Sequence, residues 1–152
     1  MSATMLLYSS HQITGEELAE VLRQAGGRLT PASAAGYFGG IDDGRTYIWV
    51  NFIPCYDGVF DHEGNPLDEN DMVLLEQAKA LLGGEFQTWI HITLDRTPTL
   101  TRSGSLRLAI RFAHACCQRW PCILDNNEGR LFSCDEIEEL YKGGDAITGY
   151  GL

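Results

Sequence analysis

Residues 47–53 read Tyr47-Ile48-Trp49-Val50-Asn51-Phe52-Ile53, and Pro54 follows. The run is rich in β-branched and aromatic side chains, and proline cannot donate to a sheet ladder. It therefore reads as a strand that stops before residue 54. Ile48, Val50 and Phe52 fall on one side, and Tyr47, Trp49 and Asn51 on the other. A second strand of the same kind spans Phe86 to Leu94, where Thr88, Ile90, Ile92 and Leu94 alternate with Trp89, His91 and Thr93. Two half-aliphatic strands of this length need a layer packed against them, and the sequence around them supplies helices.

Ahead of the first strand, Thr14 and Glu17 form a capping-box pattern, with Leu18, Val21, Leu22 and Ala25 at helical spacing before Gly26-Gly27. Met5 to Ser9 reads as an opening strand. Residues 28–44 read as a loop, rich in Gly, Ala and Pro, and Asp43-Gly44 is a turn signal. Between the two main strands, Gly58 to Leu67 reads as a small hairpin or ordered loop. Asp68 or Asn70 then caps a helix carrying Met72, Leu75, Ala78, Leu81 and Leu82, ended by Gly83-Gly84. Beyond the second strand, Ser103 or Ser105 caps a helix from Leu106 to about Arg119. Cys122-Ile123-Leu124 is a short strand, Arg130-Leu131-Phe132 returns beside it, and Ser133 or Asp135 caps a last helix. This order predicts an α/β (α+β) sandwich: a mixed, mostly antiparallel sheet of about four to six strands with about four helices. Residues 1–152 read as one domain, with a loose tail from about residue 143.

Composition narrows the function. Of the 152 residues 44% are apolar, which suits a packed core, and no apolar run is long enough to cross a bilayer. The start, Met1 to Tyr8, lacks a basic segment and an apolar segment of signal-peptide form, so a cytoplasmic protein is expected. The five cysteines Cys55, Cys116, Cys117, Cys122 and Cys134 are an odd number and read as buried thiols rather than a disulfide framework. The net charge of −10 disfavours nucleic acid and anionic membranes and suits a basic protein partner. From Asp42 to Glu76 there are nine acids and one base, Arg45, whereas Arg96 to Arg130 holds six arginines and two acids. The surface is either bipolar or interleaved, depending on how the two stretches fold together.

Motifs of chemistry are sparse. His114, Cys116, Cys117 and Cys122 lack the paired spacing of a zinc site, and the acidic loop lacks the EF-hand run, so no metal and no cofactor are expected. There is no G-x-S-x-G elbow, P-loop or G-x-G-x-x-G, and no catalytic residue is assigned. An anion site is the best small-ligand alternative: Arg102, Ser103 and Ser105 leading into a helix, with Arg107 and Arg111 one turn apart, as in a nucleotide-binding regulatory domain. Trp49 and Trp89 are either core or an exposed aromatic patch, according to whether helices cover both faces of the sheet.

In the C-terminal half, the strand Trp89-Ile90-His91-Ile92 leads to a helix. Trp120-Pro121-Cys122-Ile123-Leu124-Asp125, Gly129-Arg130-Leu131-Phe132-Ser133 and the helix at Glu136-Ile137 follow. Over residues 86–141 this layout resembles small bacterial immunity proteins of polymorphic-toxin and type VI secretion systems, in which a W-P-x-x-x-D strand and a G-R-L-[FY]-S/T return recur. The resemblance implies a non-catalytic, stoichiometric inhibitor that occludes the active site of a cognate toxin. The acidic stretch Asp57, Asp61, Glu63, Asp68, Glu69 and Asp71 would steer encounter with a basic surface, and Tyr56 or Phe60 would anchor it.

Overall fold

In the computed structural model, residues 4–29, 37–53, 69–94, 99–126 and 130–143 are described, with the backbone alone at 71 and 99–103. The elements are β1 (Thr4–Ser9), α1 (Gly15–Gln24), β2 (Arg28–Leu29), β3 (Gly39–Asp42), β4 (Tyr47–Ile53), α2 (Glu69–Leu82), β5 (Thr88–Leu94), α3 (Thr99–Cys117), β6 (Cys122–Asp125), β7 (Leu131–Ser133) and α4 (Cys134–Gly143). The strands form one sheet in the order β2-β3-β4-β5-β1-β6-β7, every described pair antiparallel. This is the expected α+β architecture, with seven strands where four to six were expected. The extra strands, β2 and β3, come from the segment read as a loop.

The central position of β1 explains its sequence. It lies between β5 and β6 with all six residues buried, so Met5-Leu6-Leu7-Tyr8 is a continuous apolar run rather than an alternating one. Met5 and Leu7 join Ile48, Val50, Ile90, Ile92 and Leu124 in the main core. There they pack with Leu18 and Leu22 of α1, Leu106, Ile110 and Ala113 of α3, and Ile137 of α4. Leu6 and Tyr8 point to the opposite face, where Trp89 and Ile123 pack under Leu75 and Ala78 of α2. Three helices thus cover one face, while α2 covers the β5-β1-β6-β7 part of the other.

Helix ends follow local chemistry. The Thr14 hydroxyl accepts from the Glu17 amide at 3.2 Å, and the Glu17 carboxylate accepts from the Thr14 amide at 3.0 Å, completing the expected capping box of α1. Ser133 and Glu136 repeat the arrangement at α4, with the Glu136 amide donating to Ser133 Oγ at 3.3 Å. Gly83, with φ of 77°, turns the chain out of α2.

Candidate functional site

Helix α2 is apolar on two sides. Leu75, Ala78 and half-buried Leu82 face the sheet. Met72, Val73 and Leu81 are exposed by 49%, 52% and 57%. The apolar residues expected on this helix therefore divide, with Leu75, Ala78 and Leu82 toward the sheet and Met72 and Leu81 exposed on opposite flanks. Together with Glu69, Glu76, Gln77 and Ala80, Met72 and Val73 line a shallow, open depression along the helix. Its rim is acidic. Lys79, on the same helix, lies 3.8 Å from Glu76 and 3.4 Å from Glu85, both carboxylates highly exposed. An apolar centre with a charged rim has the anatomy of a protein contact surface.

The same side of the sheet bears a different surface over β3 and β4. Tyr47 and Trp49 are half-buried there, and Tyr37, 42% exposed, stacks on Trp49 with ring centroids 5.4 Å apart. Gly40 is the register partner of Trp49, and a Cβ at residue 40 would lie 2.8 Å from the indole ring. The tryptophan is therefore spread over a bare glycine backbone, an arrangement that holds β3 against β4. Trp89 has a different fate: it is 2% exposed and packs edge-on against Tyr8 and Phe86 at 4.5 and 5.2 Å. One tryptophan is thus core and the other lies at the border of an aromatic surface patch. His91 and Thr93 continue this face on β5, with His91 Nδ1 and Thr93 Oγ1 3.4 Å apart.

The acidic and basic stretches interleave at one point. Asp43 accepts from the amides of Arg45 and Thr46, each at 2.9 Å, and the Arg111 guanidinium of α3 acts on it from across the layers. These amides, Thr46 foremost, hold the Asp43 carboxyl below the usual carboxylate range. Asp42 accepts from the Gly44 amide at 2.8 Å. The pair shapes its turn, as expected.

The steering residues Asp57, Asp61, Glu63 and Asp68, with the anchors Tyr56 and Phe60, lie outside the described residues. Glu69 opens α2, exposed at the depression, and Asp71 lies in the first turn of that helix. The anion-site alternative needs correcting. Helix α3 begins at Thr99, so Arg102, Ser103 and Ser105 lie within it rather than ahead of its free amides. Ser105 is fully buried, and its hydroxyl donates to the Tyr47 carbonyl at 3.0 Å, tying α3 to β4. Arg107 and Arg111 are exposed on the same helix.

The cysteines need correcting as well. Cys117 and Cys134 are joined by a disulfide, with Cα atoms 5.6 Å apart. Cys116 and Cys122 are free and buried, and burial pushes both thiols up, Cys122 to about 12. His114 stacks on Tyr141 at 3.9 Å. Among the described residues no group of His, Cys, Asp and Glu is arranged to hold a metal ion, and no helix is long and apolar enough to cross a membrane. Compared with known proteins, the chain matches no family model, no curated protein and no solved structure.

Proposed function

We propose that this chain is a non-catalytic binding protein of the immunity type, which neutralises a basic protein toxin in the cytoplasm by covering its active site. The observation that carries this reading is the outer side of α2, where exposed Met72 and Val73 lie among the carboxylates of Glu69 and Glu76. Apolar side chains of this size release water when a partner covers them, at about 25 cal/mol per Å². The carboxylates around them, on a chain of net charge −10, draw in a partner of opposite sign and speed encounter. The acidic stretch that begins at Asp42 ends on this helix at Glu76, so steering and contact fall on adjoining parts of the chain.

The test is co-expression of the full chain with the product of the neighbouring gene. A stoichiometric complex and rescue of growth are expected. Absence of both a complex and rescue would remove the reading.

A further inference from the structure

We propose that Cys117 and Cys134 form a reversible thiol–disulfide exchange site whose co-reactant is a small-molecule disulfide of the oxidised-glutathione class. Cys117 is the last residue of α3 and Cys134 the first of α4, so the bond clasps two helix ends 17 residues apart in sequence. Their Cα separation of 5.6 Å lies at the centre of the range that a disulfide spans without moving the backbone. Both residues are half-buried at the border of the core, whereas the other two described cysteines are enclosed. Cys116 and Cys122 are 0% and 2% exposed, and as buried, protonated thiols they are poor nucleophiles. Accessibility and geometry therefore select one pair from the four described cysteines.

The chemistry balances without a metal or a cofactor. One thiolate attacks the external disulfide and displaces the first small thiol, leaving a mixed disulfide on the protein. The second thiolate attacks the protein sulfur of that mixed disulfide and displaces the second small thiol. Two electrons pass to the external disulfide, and the two thiol protons are taken up by the released thiolates. The reverse sequence opens the clasp, and partly accessible disulfides are the ones most readily reopened.

The clasp acts on the sheet edge. Strand β7 has three residues and leads directly into Cys134, and α4 is also held by its Ser133–Glu136 cap, by Ile137 in the core with Leu140 packed against it, and by the Tyr141–His114 stack. Closing the bond removes freedom from the open chain and fastens this β7–α4 corner. The inference stands on these residues alone, whatever α2 binds.

The experiment equilibrates the full chain in glutathione buffers of graded oxidation, quenches with acid, alkylates under denaturing conditions and counts labels by mass. The expected result is a passage from five labels to three. The tryptic peptides 112–119 and 131–142 should become linked while Cys122, in peptide 120–130, stays labelled. Amide exchange over residues 131–143 should slow by roughly tenfold on oxidation, with Tm rising by roughly 5 °C. C116S should pass from four labels to two and keep the linkage, the slowed exchange and the rise in Tm, and C117S and C134S should each stay at four labels. Five labels at every ratio, linkage through a different cysteine, or a bond that reductant opens only after denaturation would each overturn the proposal.

Discussion

The Tyr8 hydroxyl donates to the Asp125 carboxylate at 2.7 Å, joining β1 to β6 beneath α2, with the two residues 3% and 5% exposed. A charge-assisted hydrogen bond in this position is short and strong, because water does not compete for it. Tyr8→Phe should lower stability by about 1–3 kcal/mol, read as a lower urea midpoint at unchanged slope. A Tyr8→Phe midpoint equal to that of the wild type would show that the bond contributes nothing net.

Gly40 is required by contact rather than by backbone angle. A Cβ there would strike the Ile48 carbonyl and lie 2.8 Å from Trp49 Cε3, both on the neighbouring strand. The carbonyl cannot move without breaking the β3–β4 ladder. Gly40→Ala should destabilise by about 1–3 kcal/mol and shift the near-ultraviolet signal of Trp49. Gly44→Ala separates the two causes. Its Cβ would meet nothing within 4 Å, but its φ of +88° makes it strained through the backbone alone.

Acid should weaken the fold through Glu17 and Asp43. The Thr14 amide, and then the His11 side chain, hold Glu17 below the usual carboxylate range. The Thr46 and Arg45 amides do the same for Asp43. A carboxyl depressed in the folded state contributes its full stabilisation above its unfolded pKa, and the contribution disappears as pH falls through the folded value. Melting temperature should therefore hold near neutrality and fall through and below the ordinary carboxylate range. Glu17→Gln and Asp43→Asn should each flatten that decline. An unchanged pH profile in both variants would refute the assignment.

The capping box of α1 and the alternation of β4 and β5 were readable because they are local: a few neighbouring side chains decide them. The start of α3 was not. Gly104 between Ser103 and Ser105 looks like a stop before a helix. Yet a Cβ at residue 104 would come within 3.0 Å of Thr46 Cγ2, and the glycine lets the helix pass close to the sheet. Strand β3 was hidden for a related reason, since Gly39 and Gly40 resemble a loop until Leu22 and Trp49 are seen packed over them. The two tryptophans occupy equivalent places in their strands, and only the position of α2 makes Trp89 core and leaves Trp49 half-buried. The Cys117–Cys134 pairing depends on how two helix ends meet, which cysteine counting does not capture. At the candidate contact surface, the acidity and Glu69 were anticipated. The exposure of Met72 and Leu81 was missed, although their angular offset from Leu75 and Ala78 on a helical projection could have shown it.

That offset yields the sharpest test of the proposed contact. Val73 and Leu81 are 52% and 57% exposed, so Val73→Gln and Leu81→Gln should leave stability within about 0.5 kcal/mol. If α2 is the contact, each should weaken the complex with the cognate partner by about tenfold, mainly through faster dissociation, because desolvated apolar contact is lost. Glu69→Lys and Glu76→Lys should act differently, slowing association and reducing its dependence on salt, since rim charges steer more than they hold. Surface plasmon resonance at two salt concentrations separates the two classes. Glutamine variants that bind as tightly as the wild type would move the interface off α2, and a complex that still forms would then be sought on the Tyr37–Trp49 side of the sheet.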